Sequence, residues 1–204
     1  MRTDPAARRT FFNALAGEWS SASDFRANQE RLANLIAAAP VGRGDHVLDV
    51  GSGTGIALPA LRQAVGPQGR VVGIDTAENM VEEARKVHPA VILGDILAPP
   101  PEFPFGERDL DFILAFAVLP HLEDPAQFLK IAANLLRPNG HLLVLHFMSR
   151  AICNDFHRKA GTAVEHDMLP TRTELDEMAA KAGLVPVSFQ EADDLFYWLV
   201  RRTG

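Results

Sequence analysis

The stretch that decides the fold is His46-Val-Leu-Asp-Val-Gly-Ser-Gly-Thr-Gly55, an apolar strand that runs directly into three glycines. Gly51, Gly53 and Gly55 carry no Cβ, so the backbone can pass very close to a ligand at this turn. In a doubly wound α/β fold such a turn lies at the carboxyl edge of the sheet, where ligands bind. The glycines predict a ligand site, although a tight strand-to-helix connection would also use them.

Two acidic residues indicate which ligand this turn accepts. The spacing G-x-G-x-G differs from the G-x-G-x-x-G of dinucleotide sites, where a helix N-terminus holds a pyrophosphate. Asp49 precedes the first glycine, and its carboxylate suits a cationic ligand and repels a phosphate. Asp75 follows about 20 residues after the glycines, where an acidic residue binds ribose hydroxyls. A ribose and a positive charge without a pyrophosphate describe S-adenosylmethionine better than NAD.

The rest of the chain alternates apolar strands with helices. Because these strands lack an apolar–polar alternation, they predict a parallel sheet that is covered on both faces. Residues 148–169 show no clear period. Thr171-Arg-Thr-Glu174 is a capping box that begins a helix ending near Gly183, and the two last strands are close enough to form a hairpin. Strands are predicted at 46–50, 70–75, 90–95, 110–117, 141–147, 185–189 and 195–201.

The glycine-rich turn resembles motif I of the class I S-adenosylmethionine-dependent methyltransferases, and the resemblance extends over most of the chain. Gly73-Ile-Asp-Thr-Ala-Glu-Asn-Met80, Gly94-Asp-Ile96 and Leu135-Leu-Arg-Pro-Asn-Gly140 are similar to later segments of that family. The resemblance implies a Rossmann-like α/β fold, a doubly wound seven-stranded sheet that is mostly parallel with an antiparallel last strand. It implies S-adenosylmethionine as the cofactor, bound by Asp49, Gly51, Ser52, Gly53, Gly55, Asp75, Thr76, Met80, Asp95, Ile96, Ala115 and Phe116.

Departures from this family narrow the expected acceptor. Ala115-Phe116 and Pro120-His121 stand where methyltransferases of quinone biosynthesis usually have Ser-Asn and His-His. The Asp/Asn-Pro-Pro-aromatic run of nucleobase amino-group methylases is absent. We therefore expect methyl transfer to a small molecule by in-line displacement. Two alternatives stay open: a non-catalytic S-adenosylmethionine-binding sensor or partner subunit, and an NAD-dependent oxidoreductase.

Histidines after the fourth and fifth strands predict the acceptor side. His121 and His146 follow neighbouring strands, and the segment after the fifth strand adds further polar residues. One histidine oriented by an aspartate could act as a general base; two or three could bind a metal; or all could be hydrogen-bonded loop residues. The sequence contains no His-x-x-x-His pair, a spacing that would favour a metal site. The expected catalytic residues are His146, His157, His166 and Asp167, and the expected substrate-binding residues are Phe12, Trp19, His121, Asn154 and Arg158.

Composition excludes several classes of protein. The 204 residues carry a formal net charge of −6, which argues against nucleic-acid binding. The single cysteine, Cys153, is expected to be a buried small residue and fits a reducing cytoplasm. Neither a secretory apolar region nor a bilayer-length run is present, so no membrane insertion is expected. We expect a monomer or homodimer with one domain, 1–204: a helical lid (1–40), a cofactor-binding core (41–147), a substrate-side insert (148–170) and a terminal helix with hairpin (171–204).

Overall fold

The computed structural model describes residues 4–19, 24–161 and 163–204. Seven strands form one sheet in the order β3-β2-β1-β4-β5-β7-β6. β1 to β5 pair in parallel, whereas β7 is antiparallel to both β5 and β6. The predicted mostly parallel sheet with an antiparallel last strand is confirmed. The strands are β1 (His46–Val50), β2 (Arg70–Asp75), β3 (Val91–Leu93), β4 (Leu110–Phe116), β5 (Leu136–His146), β6 (Leu184–Ala192) and β7 (Leu195–Arg202).

Helices cover both faces of this sheet. On one face Leu32, Leu61 and Val81, from three different helices, pack against the strands. On the other face Phe128 and Leu175 do the same. A strand buried on both faces has no polar side to display, which explains the missing alternation. The helices are α1 (Pro5–Trp19), α2 (Phe25–Ala38), α3 (Leu58–Val65), α4 (Glu78–Val87), α5 (Pro125–Leu135), α6 (Arg150–Ala160) and α7 (Arg172–Ala182). None of the helices in the described ranges is long and apolar enough to cross a bilayer.

The insert contains a helix that the sequence did not predict. α6 begins after Ser149, whose hydroxyl accepts a hydrogen bond from Ile152 N. Its buried side chains are Cys153, Asn154 and His157, two of which are polar, while its exposed face carries Ile152 and Phe156. Hydrophobicity therefore does not follow burial along α6, so the apolar residues of its sequence do not mark its buried face. The predicted capping box of α7 and the terminal hairpin are both present.

The sheet order reverses at β1, which has β2 on one side and β4 on the other. In open α/β sheets such a switch point opens a crevice outside the carboxyl ends of the strands. Here it brings together the turn after β1, the end of β2 and the short 3-10 helix that follows β4 (Leu119–His121). α1 lies near the same edge and packs on α4 through Ala16, Ala77 and Met80.

Candidate active site

A cavity of about 360 Å³ opens at the carboxyl ends of β1, β2 and β4. All the residues predicted to bind the cofactor line it except Gly55 and Ala115. Ala115 is a residue of β4 and is fully buried in the core. Gly55 has a φ of +88°, and a Cβ there would lie 3.0 Å from Val87 and 3.3 Å from the backbone of Ala84. Gly55 thus allows the turn to approach α4 rather than to face the cavity.

The other two glycines shape the turn after β1. Gly51 has a φ of +66°, and a Cβ there would lie only 2.2 Å from the Val118 side chain. Gly51 N donates a hydrogen bond of 2.8 Å to the carbonyl of Ile74 at the end of β2. Gly53 N donates one of 2.9 Å to Asp75 Oδ2. The turn is therefore wedged against the residues after β4 and fixed to the end of β2.

Three buried polar atoms at this turn lack a hydrogen-bond partner among the described residues. They are Asp49 Oδ2, Ser52 Oγ and Thr54 Oγ1, and all three residues line the cavity. Leaving such a group unsatisfied costs about 1–3 kcal/mol, which a ligand with hydrogen-bond donors recovers. Burial, with a further contribution from the charge of Asp75, raises the pKa of Asp49 to about 8. A cationic ligand at this point would favour the ionised carboxylate.

The carboxylates after β2 and β3 complete this end of the cavity. Asp75 accepts hydrogen bonds from Gly53 N and Ala77 N, both at 2.9 Å. Burial raises its pKa, and these backbone donors oppose the rise. Asp95 Oδ1 accepts a 2.9 Å hydrogen bond from Leu97 N. An acidic, ordered wall with unsatisfied acceptors fits S-adenosylmethionine, which presents an ammonium, a sulfonium and ribose hydroxyls.

Aromatic and imidazole rings also line the cavity. Phe12 and Trp19 of α1 and His121 after β4 all line the cavity. The ring of Phe12 meets that of His121 edge-on, with the centroids 5.0 Å apart. His121 Nδ1 lies 2.8 Å from Asp167 Oδ2. Since a carboxylate only accepts, Nδ1 carries the hydrogen and Nε2 is the basic nitrogen of the neutral ring.

Asp167 is the centre of a buried polar cluster next to His121. Its carboxylate is 3% exposed and accepts two hydrogen bonds from the Arg8 guanidinium, at 2.8 and 2.7 Å, besides the one from His121. Burial alone would raise the pKa of Asp167, but the hydrogen bonds from His121 and Arg8 outweigh it and hold the pKa below its usual range. Asp167 is therefore an ionised partner for His121.

The three histidines expected to be catalytic lie outside the cavity wall. His157 Nδ1 donates to the backbone carbonyl of Asp167, and burial together with the neighbouring His121 lowers its pKa. His146 is 3% exposed, and burial, His121 and His157 lower its pKa to about 3. His166 is exposed, with Nε2 3.4 Å from Glu165. Of the seven histidines, all within the described ranges, His121 alone lines the cavity.

Two residues expected to bind substrate are placed elsewhere. The Asn154 amide is used by Leu169, to whose carbonyl it donates and from whose N–H it accepts. Arg158 is exposed on α6 and does not line the cavity.

Cys153 is buried as expected, and burial raises the pKa of its thiol to about 11. Among the described residues no group of His, Cys, Asp or Glu side chains is placed to share a metal ion.

Sequence reasoning missed several cavity residues. Thr54 lies inside the quoted motif and could have been included on that ground. Val118 follows β4, and nothing in the sequence shows its contact with the glycine turn. Arg8 lines the cavity and pairs with a residue 159 positions away, a distance over which a single sequence carries no pairing signal.

Known proteins share this sequence pattern and fold. The family model described as a methyltransferase domain matches residues 24–188. Over 115 residues the chain is 43% identical to an uncharacterised 37.1 kDa transposon protein of Streptomyces fradiae, a match that covers 54% of this chain but only 32% of that protein. The ubiquinone/menaquinone biosynthesis C-methyltransferase of Pseudoalteromonas translucida is 27% identical over 181 residues, covering 76% of this chain and 72% of that enzyme.

The fold itself has a solved counterpart. A chain in the complex between the Haloferax volcanii Trm112 methyltransferase activator and a methyltransferase superposes with a TM-score of 0.80. The superposition covers 96% of this chain and 97% of that one. Since the two sequences are 22% identical, this likeness shows a shared fold and no more.

Proposed function

From the premise that the chain belongs to the S-adenosylmethionine-dependent methyltransferases, we propose that it methylates a small molecule whose acceptor atom is deprotonated by His121. When bound, the cofactor supplies a methyl group on a positively charged sulfur, which is a good leaving group. The contribution of the protein is to hold the acceptor in line with that methyl group, to exclude water and to remove a proton.

The cofactor would occupy the acidic end of the cavity. Asp75 would accept from the ribose hydroxyls, and Asp95 and Met80 would contact the adenine. Asp49 and the unsatisfied hydroxyls of Ser52 and Thr54 would face the amino-acid part, whose ammonium satisfies buried acceptors. The resemblance to class I methyltransferases supports these assignments, and all of these residues line the cavity.

The observation that carries the proposed base is the hydrogen bond between His121 Nδ1 and Asp167. A buried carboxylate on one ring nitrogen fixes the tautomer and stabilises the imidazolium that forms when the other nitrogen takes a proton. His121 also lines the same cavity as the glycine-rich turn. His121 thus replaces His146, His157 and His166 as the proposed base, and Asp167 keeps its proposed role as the group that orients it.

The wall around His121 indicates the acceptor class. Phe12 packs edge-on against the His121 ring, and Trp19, Phe116, Val118 and Leu122 add apolar or aromatic surface to the same cavity. A neutral ring that carries a weakly acidic hydroxyl or carbon acid fits this wall and needs a base. The quinone-biosynthesis relative, named as a C-methyltransferase, supports such an acceptor. The net charge of −6 opposes a nucleic-acid acceptor.

Replacing His121 tests this function. His121→Asn keeps a hydrogen-bond donor for Asp167 but removes the basic nitrogen. With a panel of phenols and hydroquinones, the release of S-adenosylhomocysteine should fall by about 10²–10⁴-fold. The cofactor dissociation constant, measured by calorimetry, should change by less than a few-fold, because the proposed cofactor ligands are Asp49, Asp75 and Asp95 rather than His121. The matched control is His166→Asn, an exposed histidine outside the cavity, which should turn over normally.

Two results would overturn the proposal. Unchanged turnover by His121→Asn would show that His121 is not the base. Methylation of RNA or protein, but of no small molecule, in cell extract would contradict the proposed acceptor class. The proposal also includes a cytoplasmic location, supported by the single buried cysteine, and a single domain that is monomeric or homodimeric.

A further inference from the structure

Arg8 is an unusual residue for the N-terminal helix, because its guanidinium is buried. The residue is 9% exposed, and both Nε and Nη2 donate to the two oxygens of Asp167, at 2.8 and 2.7 Å. This fork-on-fork geometry is the strong form of an arginine–carboxylate pair. The pair joins α1 to the loop after α6, on the acceptor side of the cavity.

The same carboxylate holds the proposed base. Asp167 Oδ2 accepts from both Arg8 Nε and His121 Nδ1, so one oxygen is shared by the helix and the imidazole. On its other side the backbone carbonyl of Asp167 accepts from His157. Arg8 therefore holds in place the Asp167 oxygen that accepts the hydrogen bond from His121. Its positive charge also offsets the negative charge of Asp167 beside His121.

We infer that Arg8 is a positioning residue for His121, so that the base becomes competent only when α1 is docked over the cavity. This inference rests on the function proposed above. It goes beyond that function because it assigns the N-terminal helix a part in proton removal rather than only in covering the cofactor.

A second attachment of α1 provides an internal comparison. Asn13 Oδ1 accepts a 2.9 Å hydrogen bond from Asn79 N, and Asn79 Nδ2 donates a 3.0 Å bond to the Asn13 carbonyl. This contact lies at the first turn of α4, next to Met80, on the cofactor side. α1 is thus fastened by one pair that holds the base through Asp167 and by another whose hydrogen bonds run only to Asn79.

The two attachments differ in their electrostatic consequence. Without Arg8 the charge of Asp167 is uncompensated, and it then favours the protonated form of His121. The other groups facing His121 are His157 of α6, His146 at the end of β5 and Asp75 at the end of β2, and none of them is altered by the change. Loss of Arg8 should therefore keep a proton on His121 up to higher pH.

The test compares Arg8→Gln with Asn13→Ala in the full chain. For Arg8→Gln we expect kcat at pH 7 to fall about tenfold and the acid limb of the kcat–pH profile to move up by about one unit. Asn13→Ala should leave that limb unmoved, even where it weakens cofactor binding a few-fold. Arg8→Lys, which restores the charge without the fork, should return the limb most of the way.

A readout independent of turnover is the titration of His121 followed by NMR in the cofactor-free protein. Its midpoint should move to higher pH in Arg8→Gln and to lower pH in Asp167→Asn, which removes the carboxylate itself. These opposite directions are not expected from a loss of structure. If Arg8→Gln does not fold, Arg8→Lys decides the point: the loss of the fork should lower kcat while the acid limb stays near its wild-type position, and a wild-type kcat would overturn the role of Arg8.

The two proposals fail in distinguishable ways. If His121→Asn turns over normally, the base is wrong. If His121→Asn is inactive but Arg8→Gln keeps the wild-type pH profile and the wild-type His121 titration, the role of Arg8 alone is overturned.

Discussion

The two ends of the cavity each contain a buried aspartate, and the two are in opposite electrostatic states. At the cofactor end Asp49 Oδ2 has no partner among the described residues, and burial with the nearby Asp75 raises its pKa to about 8. At the acceptor end burial of Asp167 is outweighed by hydrogen bonds from His121 and Arg8, which hold its pKa low. One carboxylate lacks a cation until a ligand binds, whereas the other has one within the chain.

This difference assigns the two ends different tasks: the cofactor end binds a ligand, and the acceptor end holds its own side chains in place. A carboxylate that is unstable when ionised gains most from a cationic ligand, so the cofactor end is built for affinity. A carboxylate that is already satisfied holds its neighbours in place before any ligand arrives, so the acceptor end is preorganised. The two ends meet where Gly51 approaches Val118.

The largest expected effect on the unfolding free energy comes from neutralising each of the two aspartates, Asp49 and Asp167, in turn. The folded pKa of Asp49, about 8, lies above its ordinary value of 3.8, so its protonated form stabilises the fold at low pH and this stability is lost as pH rises toward 8. From pH 5 to 8 the unfolding free energy of the cofactor-free wild type should fall relative to Asp49→Asn by about 4 kcal/mol, at about 1.4 kcal/mol per unit. Asp167→Asn should instead destabilise the protein by about 3 kcal/mol, since it strands Arg8.

Urea unfolding at several pH values measures both variants. Addition of S-adenosylmethionine should reduce the pH dependence of the wild type, because the bound cation favours ionised Asp49. Equal and pH-independent effects of the two substitutions would show that the two aspartates do not differ as described.

A smaller effect is expected from the glycines of the turn. Gly51→Ala places a methyl group 2.2 Å from Val118 at a φ of +66°. Overpacking of this kind costs about 1–3 kcal/mol and the left-handed backbone about 1–2 kcal/mol more. Gly53→Ala is the matched control, since its φ is +53° but a Cβ there has nothing within 4 Å.

Gly51→Ala should therefore be less stable than Gly53→Ala by about 2 kcal/mol in cofactor-free unfolding experiments. Similar losses in the two variants would mean that the contact between the cofactor end and the residues after β4 does not constrain the turn.

The smallest of these effects concerns His146. Its folded pKa of about 3 lies below the ordinary value of 6.5, because burial opposes its charge, with His121 and His157 adding to the effect. The corresponding stability is present above pH 6.5 and is lost as pH falls. Between pH 6.5 and 5 the unfolding free energy of the wild type should drop by about 1.6 kcal/mol more than that of His146→Leu. A drop of the same size in both proteins would place His146 in contact with solvent.

The cofactor end was predictable because each of its segments is continuous in sequence. The segments Asp49 to Gly53, Asp75 to Met80 and Asp95 to Ile96 lie at or just beyond the carboxyl ends of β1, β2 and β3, and parallel strands bring these ends to one edge of the sheet. A left-handed φ can also be inferred from the sequence, because glycine is strongly favoured at such a position. The departures were Gly55 and Ala115, whose neighbours in space are α4 and the core.

For the acceptor end the sequence predicted which residue types are present, but not which of them face the cavity. Histidines and Asp167 were expected there. The structure places His146, His157 and His166 outside the cavity wall, and His121, which lines the cavity, was expected to bind substrate. The reason is that α6 turns His157 toward the interior and leaves His166 on an exposed loop. A segment without a readable period gives no basis for deciding which side chains face inward.

The sequence by itself determined the doubly wound sheet, its antiparallel last strand and the cofactor, because these depend on local backbone geometry and on the burial of whole strands. Only the tertiary structure decided which histidine meets the cavity, that Asp167 is shared by Arg8 and His121, and that Asp49 is left unpaired. Such pairings depend on side chains from elements up to 159 positions apart, and their free energy arises only when folding removes water from between them.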